Sequence, residues 1–523
     1  MYRKKRGTEL LAFSALAFGF AVPSIAAAQT AGNSLGAFEN QSDVGSVTPP
    51  GTATFDAATG VYTIHSAGGD LWANVDEFHF VWKKVSGDVS LTADVKVADG
   101  SATSHPHRKA LLMFRQTLDS DALFAGAAIH GSAETALQYR RTRGGIMQTI
   151  LFNIGAPQRM RLEKRGDTVT LFISMNGEPL HQAGASTKLH FNGTFYAGLG
   201  MCARRQNTVE QATFAHVELQ PLSPPAAPAA MELYSTLHTI AVDSNVPMDF
   251  VIQTDKGQME APNWSRDGKT LIFDRAGKLW SVPSDEGEGR LAEARPIDIG
   301  NATDCTGSHG LSPDGKWLAM TCTTPNQPGR RVYIVAATGG TPRLVTANPD
   351  SYFHSWSPNG KTILFTRPSH GTLTIYSIAV DGGQETALTS GAGVSDDPDY
   401  SSDGRWIYFN SDRAGGMQIW RMRPDGSHPE QVTSDERRNW TPHPSPDGKS
   451  ILILSYDKDV TGHPANKDVT LRIVSASSGA IRDLAQFVGG AGSDNVPNWA
   501  PDGAHVSYVS YQFLPAEVDS STQ

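Results

Sequence analysis

His309, His354 and His443 each stand two or three residues ahead of the serine in a short phrase that the 523-residue chain writes six times. The copies read "NWSRDGK", "GLSPDGK", "SWSPNGK", "DYSSDGR", "HPSPDGK" and "NWAPDGA". Near the same place ahead of the other copies come Glu260, Asp396 with Asp397, and Asn495. A purely architectural repeat would keep Ser, Ala or Gly there. Imidazoles and carboxylates brought around one opening suit two kinds of chemistry. One is a divalent metal such as Zn or Mn, with His309, His354 and His443 as ligands. The other is proton transfer, with His309, His354, Asp397 and His443 as acids and bases. A water-filled polar channel would account for the same residues without either.

Binding candidates gather in the same part of the chain. The fifth copy is followed by a long insertion, "SYDKDVTGHPANKDVTL" (455–471), which contributes His463, Asn466 and Lys467. Long polar loops often lie over binding sites. Tyr352, Arg413, Arg437 and Trp440 fall close to the phrases and would add cations and aromatic faces, which together suit anionic or carboxylate-bearing ligands. Glu260 and Asn495 complete this binding set.

These side chains need a frame, and the spacing of the phrases supplies one. The Asp or Asn of each turn pair falls at 267, 314, 359, 403, 447 and 502, at intervals of 47, 45, 44, 44 and 55. Strands at a period near 45, with no helical pattern between them, predict propeller blades. Each phrase is followed by a very apolar strand such as "TILF" or "SILI", and Asp-Gly between strands marks a tight turn. The expectation is therefore a six-bladed β-propeller over 232–514, one blade per phrase. The last phrase has too few strands after it. "MELYSTLHTIAVDS" (231–244) has the shape to complete that blade and close the ring.

Ahead of the propeller, 51–220 alternates apolar and polar residues in segments such as "VSLTADVKV" and "TFYAGLGMC", with Gly and Asn turns between. That pattern predicts a β-sandwich, so the chain as a whole is expected to be all-β. The Pro- and Ala-rich "PLSPPAAPAAM" (221–231) reads as a linker, 29–50 as a flexible leader and 515–523 as a disordered tail. Trp72, Asp76, His79 and Trp82 could form a sugar-facing patch or belong to the sandwich core.

The first 28 residues carry a basic start, an apolar run and a small-residue cleavage site, which predict a signal peptide and a periplasmic destination. An uncleaved anchor is the alternative. The apolar run is short for a membrane span, so no stable membrane insertion is expected. A net charge of −9 gives nucleic acid no electrostatic foothold. Of three cysteines, Cys305 and Cys322 flank one turn phrase, and in an oxidising compartment they form either a disulfide or two buried thiols.

The repeated phrase resembles the TolB-like propeller repeats (WD40-like, PD40-type) of bacterial envelope proteins, over roughly 232–512. It also resembles the propeller that precedes the catalytic domain of prolyl oligopeptidases, but no G-x-S-x-G elbow follows the last repeat, as that architecture would require. The stretch "YTIHSAGGDLWANVDEFHFVWKKVSGDVSLTADV" resembles concanavalin-like jelly-roll modules. The TolB resemblance implies a binding or scaffold protein, a monomer, that meets an envelope protein at the channel mouth. The jelly-roll resemblance implies an alternative, a lyase or hydrolase acting on an acidic oligosaccharide through the His and carboxylate ring.

Overall fold

The computed structural model describes residues 35–223, 231–243, 248–284, 293–391 and 393–515. The signal peptide, most of the linker and, beyond Pro515, the tail expected from the sequence lie outside them. All regular structure among the described residues is β, and no helix there is long and apolar enough to cross a membrane.

The repeated phrase builds the same turn five times. In the fifth copy, Ser445 Oγ donates to Asp447 Oδ1 (2.7 Å), which accepts from the Lys449 N–H (3.0 Å), while Ser445 Oγ accepts from the Ser450 N–H (3.0 Å). Gly448 sits at φ 71°, a left-handed conformation that favours glycine. Ser265, Ser312, Ser357 and Ser401 repeat the arrangement. Ser, Asp and Gly recur because one side chain closes the turn, the second caps it and the third permits its backbone.

Five four-stranded sheets follow in order, and they are blades 1 to 5. Their first strands are Met259–Trp264, His309–Leu311, Tyr352–Trp356, Ser395–Tyr400 and Arg438–Pro444. Apolar side chains of adjacent blades pack together; Phe353, Trp356 and Phe365 of blade 3, for example, share a cluster with Ala319 and Ile334 of blade 2. The expectation of six separate blades is corrected here. The sixth phrase leads into strand His505–Pro515, which pairs antiparallel with Met231–Ala241 through eleven register positions, from Met231↔Pro515 to Ala241↔His505. Met231–Ala241 pairs in turn with Met248–Lys256. These strands belong to a ten-stranded sheet shared with the N-terminal part of the chain, rather than to a separate four-stranded one. The segment after the linker and the last repeat are thus joined by a full backbone ladder, with His505–Pro515 as the end strand of that sheet.

The junction is the parallel pairing of Gln148–Gly155 with Met248–Lys256, in register Thr149↔Met248 to Phe152↔Val251. Side chains reinforce it: Arg141 Nη2 donates to the Gln486 carbonyl (3.2 Å) and Lys188 pairs with Asp468 (2.5 Å).

In the N-terminal part, the ten-stranded sheet and a seven-stranded sheet share one apolar core. Leu91, Leu162 and Leu171 of the seven-stranded sheet meet Leu112, Phe114 and Leu199 of the other. The segment expected to be a flexible leader contains strand Asn40–Val44, paired with Phe78–Ser86. Its polar side chains find partners, as where Asp43 meets His79 Nδ1 at 2.7 Å. The sugar-facing patch is also corrected. Asp76 is fully buried against Arg115 and Arg140, and His79 is 3 % exposed with both ring nitrogens bonded to Asp43 and Gln41. Cys305 and Cys322 form a disulfide, and Cys202 is a buried free thiol.

Candidate functional site

The first strands of blades 1, 3, 4 and 5 share a defect in the same place. Their pairing with the second strand slips between Glu260 and Asn263, Phe353 and Ser355, Asp396 and Asp399, and Trp440 and His443. In three of them the bulged residue precedes a proline, which has no N–H to give the ladder, and lies at positive φ: Ala261 55°, Asp397 48° and Thr441 49°. Non-glycine residues there are uncommon, and bulges re-aim side chains. The bulge turns Thr441 so that its hydroxyl donates to both oxygens of Asp494 (3.0 Å each).

At the bulge of blade 4, Asp396 and Asp397 close on His354 of blade 3. His354 Nδ1 lies 3.4 Å from Asp397 Oδ1 and its Nε2 lies 3.4 Å from Asp396 Oδ1. Thr366 Oγ1 fixes the ring through Nε2 at 2.9 Å. One ligand atom from each of the three residues falls within 4.8 Å of the others. His354 Nδ1, Asp396 Oδ1 and Asp397 Oδ2 are buried without a hydrogen-bond partner. Burial, then the neighbouring charges of Asp396 and Asp494, push the Asp397 carboxyl well above the usual carboxylate range. Burial opposes ionisation of Asp396 too, but the contact with His354 outweighs it and holds that group low.

The insertion of blade 5 roofs this cluster. His463 stacks on Trp440 with centroids 4.8 Å apart and meets Tyr456 edge-on at 5.6 Å. Burial lowers its pKa to about 4, against the nearby Asp396 charge. Tyr456 donates to the Pro464 carbonyl at 2.9 Å, which ties the insertion down.

The ring read from the sequence is not one ring. Counted back from the turn serine, His309 and His354 occupy the third position, His443 the second, Asp397 the fourth, and Glu260, Asp396 and Asn495 the fifth (Asn495 counted from Ala500). A bulge takes its residue out of the ladder and re-aims it, so an equal count from the turn does not mean an equal direction; His354 and Asp397 lie in bulges and His309 does not. His354, Asp396 and Asp397 converge. His309 stays apart, fully buried, with Nε2 3.4 Å from the Ile272 carbonyl and its pKa pushed down by burial to about 4. His443 lies nearer the turn and bridges Asp399 (3.2 Å) and the Asp494 carbonyl (2.6 Å). Among the described residues neither joins a group of three potential ligand atoms within 4.8 Å of one another.

The binding candidates also divide. Arg413 is anchored on Ser395 (3.0 Å) and over the Phe409 and Trp420 rings, and Arg437 on Thr470 (2.8 Å). Asn495 accepts from the Gly492 N–H at 3.1 Å. Tyr352 lies half-buried at the start of its strand, Asn466 turns the insertion at φ 61°, and Lys467 opens the next strand beside Asp468, which meets Lys188. Glu260 lies on blade 1, where its charge acts on Asp274.

Asp494 and Asp399 were missed; both are fully or nearly buried, and His443 meets Asp399 through its carboxylate and Asp494 through its main-chain carbonyl. The "SDN" triplet held Asp494 beside the chosen Asn495, and only the bulge at Thr441 shows which of the two is aimed inward. Burial raises Asp494 to about 7. A carboxyl that keeps its proton when folded costs stability as pH rises from its unfolded pKa of about 4 to about 7, because only the unfolded chain ionises over that range. Asp494→Asn is therefore expected to flatten the fall in stability between pH 4 and 7, measured by urea unfolding in EDTA. An unchanged slope would contradict the assignment.

Comparison with known proteins agrees with this architecture. The family model of the TolB beta propeller domain matches residues 312–514. Uncharacterized protein Atu1656 of Agrobacterium fabrum is 44% identical over 257 residues, covering 48% of this chain and 84% of that protein. The solved structure of "putative TolB" from Agrobacterium tumefaciens is 41% identical, covers 54% of this chain and 99% of that one, and superposes with a TM-score of 0.50. The Tol-Pal system protein TolB of Francisella tularensis subsp. tularensis is 27% identical over 154 residues, covering 29% of this chain and 34% of that protein. The chain belongs to the TolB-type β-propeller family that includes Atu1656.

Proposed function

We propose that this chain is an exported, periplasmic binding protein of the cell envelope, engaging a protein partner at the mouth of its channel, where His354, Asp396 and Asp397 hold a divalent cation. One observation carries the cation: one ligand atom from each of a buried imidazole and two buried carboxyls falls within 4.8 Å of the others, and each of the three residues keeps a buried polar atom with no hydrogen-bond partner. Such groups are costly to bury unpaired, and a cation held by the three residues would offset that cost. Thr366 holds His354 through Nε2 at 2.9 Å, a contact that fixes the orientation of the imidazole. One imidazole with two carboxylates favours a harder ion such as Mn2+ over a thiophilic one. The basic and apolar N-terminal sequence supports export, the TolB-type relatives support a role in binding envelope proteins, and the two sheets around one core support a concanavalin-like sandwich. The alternative of a lyase or hydrolase on an acidic oligosaccharide draws no added support from the site.

The test is calorimetric titration with Mn2+ of the mature protein after EDTA treatment, beside a His354→Ala/Asp397→Asn variant. The expected result is one equivalent bound by the wild type and none at this site in the variant. Equal binding by both would refute the cation, and failure of Mn2+ to bind either would do the same.

A further inference from the structure

A second convergence of ligand-type side chains lies in the N-terminal part, far along the chain from the channel residues. His107 belongs to the loop that enters strand Lys109–Arg115, His130 ends strand Phe124–His130, and Glu134 begins strand Glu134–Arg140. The last two flank one hairpin turn, closed by the Ala133 N–H on the His130 carbonyl (3.0 Å). The turn is tied to the His107 loop by backbone bonds from Ser132 to the Pro106 carbonyl (2.8 Å) and from Gly131 to the Arg108 carbonyl (2.7 Å). Position is therefore set by main chain from two directions, as a preorganised site requires.

Glu134 Oε2 lies 3.1 Å from His107 Nδ1 and 3.4 Å from His130 Nδ1. The three ligand atoms fall within 4.8 Å of one another. For metal–ligand bonds of about 2.0–2.1 Å, the edge of a tetrahedron is about 3.3–3.4 Å, so these separations are those of ligands around one zinc-sized ion. His130 is 5 % exposed, and neither of its ring nitrogens has a hydrogen-bond partner. Its Nδ1 has only the long contact with Glu134 and its Nε2 has none; an imidazole buried with so little to bond to is costly in a protein interior, and its Nδ1 is aimed into this cluster. Ser132 Oγ donates to Glu134 Oε2 at 2.6 Å, an outer contact that orients the carboxylate.

We infer that His107, His130 and Glu134 form a zinc site, with the fourth position open to water or an exogenous ligand. Two imidazoles and one carboxylate are a recurrent donor set for zinc. The site is independent of the channel: it uses other residues, other strands and a nitrogen-rich donor set where the channel offers mainly oxygen.

The experiment uses the full mature chain, stripped with EDTA and carrying His354→Ala and Asp397→Asn so that the channel cannot contribute. Zinc is titrated by calorimetry, and cobalt is substituted to read tetrahedral geometry from its visible spectrum. One equivalent of zinc is expected, with a rise in thermal midpoint on binding. Adding His107→Ala or Glu134→Gln is expected to weaken zinc by at least about 100-fold, beyond the 10–100-fold that loss of an outer partner gives. The His107 and Glu134 side chains are 42 % and 39 % exposed, too open to water to carry much packing, so the metal-free thermal midpoint should hold. Absence of zinc binding in the channel-disabled protein would overturn the inference. So would unchanged zinc affinity in both added variants.

Discussion

Replacing Asp76 by Ala is expected to destabilise the N-terminal part by about 3–5 kcal/mol, the cost of stripping one partner from a buried ion cluster. Asp76, Arg115 and Arg140 are all fully buried. Arg140 reaches Asp76 through two nitrogens, at 2.9 and 2.8 Å, and Arg115 through one at 3.3 Å. Both guanidiniums also lie over phenylalanine rings, Arg115 over Phe78 and Arg140 over Phe124. Burial already lowers the pKa of Arg115, with the Asp76 charge opposing it. Without that carboxylate two cations face each other in an apolar shell that includes Phe80 and Met113. Urea unfolding followed by near-ultraviolet circular dichroism measures the loss. A change below about 1 kcal/mol, the range of an exposed pair, would show that the cluster is solvated and the packing described here wrong.

The Cys305–Cys322 bridge carries the second large effect. The cysteines are separated by 17 positions, and a closed loop of that size removes about 3 kcal/mol of freedom from the unfolded chain. Replacing both by Ala is expected to lower stability by about 2–4 kcal/mol. The loss should fall on blade 2 and its neighbour, since the bridge sits among Leu279, Leu318, Met320 and Tyr333. Hydrogen exchange would locate it. Uniform protection in the variant and the parent would mean that the bridge is not formed in the folded protein.

Much of the architecture was legible because it is written locally. A turn that needs Ser to close it, Asp or Asn to cap it and Gly to bend it announces itself wherever it recurs, and five turns form as the phrases predict. The pairing of 231–241 with the last repeat followed from counting strands. The sixth sheet did not follow. Whether an edge strand takes a further neighbour is decided by what lies beside it, and Gln148–Gly155 lies beside Met248–Lys256. The leader was misread for a similar reason: "NQSDV" has no apolar alternation, and its place in a sheet rests on partners such as His79 and Trp82.

The composition of the cluster around His354 was visible in the sequence, and its membership was not. His354, Asp396 and Asp397 were all candidates, but so were His309, at the same count as His354 but in an unbroken ladder with Met320, and His443, one residue nearer the turn. A side chain's direction on a strand reverses with every residue, and a bulge resets that count. The bulges at Ala261, Asp397 and Thr441 depend on pairing with the neighbouring strand. His107, His130 and Glu134 carried no signal at all, since a spacing of 22 residues between the histidines matches no local motif. The sequence by itself therefore determined the all-β character, the period of the propeller, the turn chemistry and the residue types at the mouth, because each follows from interactions within a few residues. Tertiary structure alone decided the number of separate sheets, the membership of the channel cluster and the existence of the second one, because those depend on which strands meet and in what register.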